Sequence, residues 1–241
     1  RSALVMRTIE AFPPRCSGCG GQVSQDFALC PACWRDTPFL TGLVCDACGV
    51  PLPGEDTGTP EHCDDCLAIA RPWDRGRAVF VYKGAARRMV LALKHGDRLD
   101  LVRPAARWLA QAAAPLLRPD TLIVPVPIHW RRLLSRRFNQ SAELARALSR
   151  DTGHTCVPDL LVRSRATPVL DGLGREARFA ALSGTIRPHP RRAAAARGRP
   201  VLIVDDVMTS GATLAATAEA ARAAGAGQVD MVTLARVAKD A

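Results

Sequence analysis

The stretch Val201 to Leu214, V-L-I-V-D-D-V-M-T-S-G-A-T-L, concentrates more chemistry than any other in this sequence. Four apolar residues read as a buried strand, two adjacent carboxylates (Asp205 and Asp206) emerge at its carboxyl end, and a loop of small residues opens a helix at about Thr213. The backbone N–H groups of Thr209, Ser210, Gly211, Ala212 and Thr213 can cradle an anion at that helix start, helped by three hydroxyls. Carboxylates beside an anion cradle suit a ligand with a phosphate at one end and a diol at the other, as in a ribose 5-phosphate, because carboxylates accept hydrogen bonds from vicinal hydroxyls. The plainer alternative is an Asp-Asp pair at a strand end followed by an ordinary capped helix. The sequence contains no Gly-Lys-Ser/Thr phosphate loop and no G-x-G-x-x-G.

Eight of the nine cysteines fall as four Cys-x-x-Cys pairs: Cys16/Cys19, Cys30/Cys33, Cys45/Cys48 and Cys63/Cys66. Two thiolates three positions apart can face one ion across a tight turn, and two pairs complete a tetrahedral Zn²⁺ shell. Gly20 and Gly49, each just after the second Cys of its pair, supply the left-handed backbone such turns often need. Short hairpins favour sequential sites, pair one with two and three with four, over a cross-braced arrangement. A disulfide framework would require a secretory signal, and a redox dithiol needs only one such pair. Two structural zinc ions are therefore expected, in closed sites that stabilise a fold and take no substrate. His62 is a bystander on this reading, and Cys156 a buried apolar residue.

These groups need elements to hold them. Strands are expected at 76–82, 122–127, 201–204 and 229–237, and helices at 85–95, 103–117, 139–150 and 213–224. Such alternation implies a mostly parallel sheet covered on both faces, with ligands at the carboxyl ends of the strands. Residues 164–200, rich in Arg, Gly and Pro, show little periodicity and read as a lid or linker.

At residues 201–214 the chain resembles the type I phosphoribosyltransferases, whose signature is an apolar strand, two acids and a T-x-G-x-T-like loop. Y-K-G (82–84), L-K-H-G (93–96), V-P-V-P-I-H (124–129), R-R-F-N-Q (136–140) and R-S-R-A-T-P (163–168) stand in the order seen in the ComF/GntX family. The four Cys-x-x-Cys pairs resemble that family's double zinc ribbon. The resemblance runs from about Pro13 to Lys239, with departures at Leu170 and Ala180, where many members carry Gln and Asn. It implies an α/β fold: a type I phosphoribosyltransferase-like parallel sheet with helices on both faces (73–241), preceded by a small Cys-rich zinc ribbon module (1–72).

The resemblance also implies roles. Asp205 and Asp206, the candidate catalytic pair, hold the ribose hydroxyls of phosphoribosyl pyrophosphate (PRPP), and Thr209 to Thr213 hold its 5-phosphate. The loop from Pro127 to Arg131 meets the pyrophosphate, Mg²⁺ bridges pyrophosphate and sugar hydroxyls, and Arg163 and Arg165 reach the leaving pyrophosphate from the lid. Lys94, His95, Asn139 and Gln140 fit the family pattern, as contacts or as structural residues. The reaction would displace pyrophosphate at the anomeric carbon through an oxocarbenium-like transition state, by positioning and charge neutralisation. The acceptor has no announced recognition segment, and a binding protein without catalysis stays open.

Charge supplies a competing reading. The 241 residues carry 33 basic and 23 acidic side chains, net +10, yet residues 1–72 hold 5 Arg against 9 acids, net −4, and residues 73–241 hold 28 basic against 14 acidic, net +14. An acidic ribbon cannot grip phosphates by itself and is expected to dock on the basic module. That basic module could bind single-stranded DNA, as the family's link to competence implies, although few aromatics limit base stacking. With 48% hydrophobic and 23% charged residues the chain is globular in composition. It has no membrane-spanning run, and residues 1–7 lack a signal-peptide core, so no membrane insertion and a cytoplasmic location are expected. Arg1 in place of Met suggests numbering that starts inside a longer chain.

Overall fold

Apolar runs bounded by turn residues become strands only where a sheet can bury both of their faces. In a computed structural model, which describes residues 13–95, 98–129, 138–165 and 174–238, they do so in the order helices α1 (Pro31–Arg35) and α2 (Asp64–Ala68), β1 (Gly76–Val81), α3 (Gly84–His95), α4 (Val102–Ala113), β2 (Leu122–Pro125), α5 (Gln140–Thr152), β3 (Thr155–Cys156), β4 (Leu161–Arg163), α6 (Arg175–Leu182), β5 (Ile186–Pro188), β6 (Pro200–Met208), α7 (Ala212–Ala223) and β7 (Gln228–Arg236). Five strands pair in parallel in the order β1-β7-β6-β2-β3, and β4 and β5 form a separate antiparallel pair.

Side chains of β6 alternate between two cores. Val201 and Ile203 join Leu122, Val124, Val229 and Met231 beneath α7, whereas Leu202 and Val204 join Phe80, Ile123 and Val232 beneath α3, α4 and α5. The buried residues of α7 are mostly alanines, Ala212, Ala215, Ala216, Ala218, Ala220 and Ala221, with Leu214 and Thr217. Helix α5 is fixed at both ends. The Asn139 side chain accepts from Ser141 N–H at 3.1 Å, and Gly153 closes the helix at φ 74°.

Two expectations change. First, β6 continues to Met208 rather than stopping at Val204, because β7 pairs with it as far as Met208–Arg236, whereas β2 leaves it at Pro125–Val204. Asp205 and Asp206 therefore sit on a half-paired stretch, anchored on one side and open on the other. Second, residues 164–200 are not uniformly irregular: α6, β5 and a 3₁₀ turn at Ala193–Ala196 occupy the described part, with Ala196 fully buried. Helix α4 ends at Ala113 and passes into a 3₁₀ turn through Pro115.

The Cys-rich segment packs into this body. Cys45, Ala47 and Cys48 share the α7-side core with Trp73 and Met231, and Phe39 meets Phe80 and Trp108 with ring centroids 4.9 and 5.9 Å apart. Asp46, between Cys45 and Cys48, accepts from Arg75 Nη2 at 3.0 Å and Arg77 Nη2 at 2.7 Å, so acidic ribbon and basic body meet as opposite charges. Burial works against the Asp46 charge, but the two arginines outweigh it and hold its carboxyl below the usual range. Asp46→Ala leaves both guanidinium groups without their carboxylate; calorimetric unfolding is expected to show a loss of about 3 kcal/mol.

Candidate functional site

Two sulfur clusters lie in the Cys-rich segment, Cys16/Cys19/Cys30/Cys33 and Cys45/Cys48/Cys63/Cys66, with all sulfurs of each within 4.8 Å of one another. The sequential arrangement is the one formed. A tetrahedral ion with about 2.3 Å Zn–S bonds needs sulfurs about 3.8 Å apart, and Cys19–Cys30 at 3.9 Å and Cys48–Cys63 at 3.7 Å match it. The N–H groups of Cys30 and Gly18 donate to Cys16 Sγ at 3.2 and 3.4 Å, hydrogen bonds that stabilise a thiolate. Both clusters are zinc-ribbon sites by donor set and spacing. Lone Cys156 is half-buried in β3, its thiol pushed up by burial.

The second site is a cleft of about 370 Å³ at the carboxyl ends of β1 and β6. Asp205, Asp206, Thr209, Ser210, Gly211, Ala212 and Thr213 all line it, together with Tyr82, Lys94 and Arg178. The loop folds as it does because Gly211, the residue before α7, takes φ 84°, and a Cβ there would stand 2.7 Å from Met208 Cε. The first N–H groups of α7 have no carbonyl partner within the helix; that of Ala212 donates to Ser210 Oγ at 3.4 Å. Gly211→Ala is expected to cost about 1–2 kcal/mol in thermal unfolding and to displace the loop.

Asp205 and Asp206 are both buried, 9% and 8% exposed. Ser141 Oγ donates to Asp205 Oδ1 at 2.7 Å, as does the Asp206 N–H at 2.9 Å, and Lys94 Nζ stands 3.8 Å from Asp206 Oδ2. Burial and the neighbouring Asp206 carboxylate push the Asp205 carboxyl up to about 7, against the pull of Ser141 and Lys94. Two like charges this close are relieved by a cation or by hydroxyl donors.

Other expected residues fall elsewhere. Arg163 Nε donates to the Pro127 carbonyl at 3.2 Å, which unites two of them outside the described lining of the cleft; Arg165 is exposed. Asn139 and Gln140 are structural: their side chains donate to the carbonyls of Val126 and Lys94, at 3.1 and 2.7 Å, and so tie α5 to β2 and α3. His129 is buried. Residues 130–137 and 166–173, with the end of the pyrophosphate loop and Leu170, lie outside the described residues, as does the His95 side chain; Ala180 is on α6. Ser141, an ordinary helix-start serine, carries no signal in its own neighbourhood, whereas Arg178, one of the arginines of the expected lid segment, lines the cleft.

Residues 10–67 match the family described as double zinc ribbon domain, and residues 141–241 the phosphoribosyl transferase domain. The chain is 31% identical over 216 residues to the DNA utilization protein YhgH of Escherichia coli (strain K12), covering 87% of this chain and 91% of that protein. It is 25% identical to Competence protein F of Haemophilus influenzae (92% and 90% covered) and 23% identical to Competence protein ComFC of Bacillus subtilis (83% and 85%). Among solved structures, a hypoxanthine phosphoribosyl transferase of Trypanosoma cruzi aligns with TM-score 0.33 and 18% identity, over 56% of this chain and 62% of that one.

Proposed function

The chain belongs to the ComF/GntX family, a double zinc ribbon joined to a phosphoribosyltransferase-like domain, and on that premise we propose that its cleft binds PRPP with Mg²⁺ and transfers the phosphoribosyl group to an acceptor. One observation carries this reading: a buried carboxylate pair and a glycine-hinged helix start line the same cleft. Asp205 and Asp206 take the ribose hydroxyls, and the N–H groups and hydroxyls of residues 209–213 take the 5-phosphate. Lys94, beside Asp206, supplies positive charge where pyrophosphate would leave, and Arg178 stands at the same mouth. The carboxylate pair and its raised Asp205 fit a site that receives a divalent cation; when bound, that ion neutralises the pyrophosphate as it departs. Neither acid then has to be a nucleophile, because orientation and charge do the work. The two ribbons supply folding energy through closed sites.

Titration calorimetry with Mg²⁺-PRPP tests the binding, and pyrophosphate release over a panel of bases and nucleosides tests the transfer. Saturable binding with release on one acceptor is the expected result; no measurable heat at millimolar ligand would overturn the reading.

A second activity, binding of single-stranded DNA, is favoured by the 28 basic side chains of residues 73–241 and by relatives named for DNA utilization and competence. If about four phosphates are contacted, affinity for a labelled oligonucleotide should fall about 50-fold between 50 and 200 mM salt. No binding at the lower salt excludes it.

A further inference from the structure

One side chain touches both the second sulfur cluster and the anion loop. Arg71 Nε donates to Cys66 Sγ at 3.4 Å, and its Nη1 donates to the Ser210 carbonyl at 3.3 Å. The guanidinium carbon lies 5.5 Å from the Trp73 ring centroid, and Trp73 Nε1 donates at 2.6 Å to the Ala47 carbonyl inside the Cys45–Cys48 turn. Gly211 completes the contact, since a Cβ there would meet Arg71 Nη1 and Trp73 Cη2, each at 3.3 Å. From the far side, buried Arg236 donates through Nη1 to the carbonyls of Met208 and Thr209, at 3.3 and 2.7 Å.

The carbonyls of residues 208, 209 and 210 are thus all engaged by arginine. In a trans peptide the N–H points opposite to the carbonyl of the same plane, and none of the described peptides is cis. Fixing these three carbonyls therefore fixes the N–H groups of Thr209, Ser210 and Gly211. Charge matters too. A Zn²⁺ with four thiolates carries a net −2 and would repel a phosphate nearby; Arg71 stands between the two.

We propose that Arg71 is a positioning residue that couples the second zinc cluster to the anion loop. The loaded cluster fixes Cys66 Sγ as an acceptor, the sulfur fixes the guanidinium, and the guanidinium fixes the Ser210 carbonyl and with it the Gly211 N–H. The ligand side of this proposal rests on the phosphoribosyl reading; the link between cluster and loop does not.

Zinc-loaded parent protein, Arg71→Met and Arg71→Lys are compared by amide hydrogen exchange and by zinc release to a chromogenic chelator. In Arg71→Met the amides of 208–213 should exchange at least about tenfold faster, the size of one charge-assisted hydrogen bond, while those of 16–33 stay unchanged. Arg71→Lys keeps the charge, reaches one partner at a time, and should fall between. By reciprocity of binding free energies, saturating Mg²⁺-PRPP should leave one of the two zinc ions of the parent protein harder for the chelator to remove at equilibrium, and in Arg71→Met that protection should vanish. Unchanged exchange at 208–213 in Arg71→Met overturns the link; should that variant fail to fold, Arg71→Lys decides by the same measurement. If the parent protein does not bind Mg²⁺-PRPP, the phosphoribosyl reading falls and the exchange comparison still decides the link.

Discussion

Replacing Asp205 and Asp206 together by Asn should abolish the rise in melting temperature that Mg²⁺-PRPP gives the parent protein. At a ligand concentration a hundred times Kd that rise is about 2.7 kcal/mol, or about 5–10 °C for a chain of this length. Asn at 205 keeps Oδ1, so the hydrogen bonds from Ser141 Oγ and the Asp206 N–H survive and the unliganded fold stays intact. An undiminished shift in the double variant would remove these residues from the ligand site.

The same pair makes a pH test with two opposite slopes. Folding raises the Asp205 carboxyl to about 7, from about 3.9 in an unfolded chain. Below about pH 4 both states hold the proton and nothing is lost. Between about 4 and 7 the unfolded chain releases it and the fold does not, so stability falls as pH rises; above 7 the loss is constant. Asp205→Asn escapes this, and its advantage over the parent should grow across that window to roughly 2–4 kcal/mol. Ligand affinity should run the other way. A Mg²⁺-bearing diol prefers the ionised pair, so binding should strengthen toward pH 7 and level off above it. Thermal unfolding and titration calorimetry at pH 5, 6, 7 and 8 read both slopes.

Loss of zinc from the second cluster should be the most damaging change open to this chain. Cys45 and Cys48 are fully buried and belong to the same core as Trp73, Met208, Ala212 and Met231. Opening that cluster removes one wall of the sheet's α7 face, and structural zinc contributes about 10 kcal/mol or more, comparable to the whole stability of a typical domain. Cys45→Ser should therefore leave no cooperative thermal transition. Cys19→Ser, at an exposed ligand of the first cluster, should lower the melting temperature and keep the transition of the α/β body. Zinc content by mass spectrometry and scanning calorimetry on both variants check this; equal, mild losses would show the second ribbon to be a mere appendage.

Much of this was legible in the residues. Cys-x-x-Cys spacing marked eight ligands, because ligation is local within each turn, but it favoured the sequential grouping only weakly, since how two turns pair is tertiary. The apolar run, the acids and the small-residue loop at 201–214 likewise placed one end of the cleft. What escaped was tertiary. Ser141 is 64 positions from the carboxylate it supports, and nothing around it distinguishes it from any serine at a helix start. The extent of β6 depends on which neighbour continues alongside, which its own residues do not record. Residues 71–74 read as a break in composition, yet Arg71 and Trp73 are inside the seam. The short helix α6 and the pair β4–β5 are too brief for periodicity to register.

The wedging of the second ribbon into the sheet's core also bears on how the chain is made. The ribbon leaves the ribosome before the α/β body, and at about 5–20 residues per second residues 73–241 follow over roughly 10–30 s. The middle strand of the sheet, β6, and its neighbour β7 are the last of these strands to be made. During that interval the ribbon can load its metal and close, so the late strands are laid against a finished wall. A cell short of zinc would then accumulate nascent chains whose central strands emerge with one wall of their α7 face missing, and quality control, rather than lost activity, would set the amount of this protein.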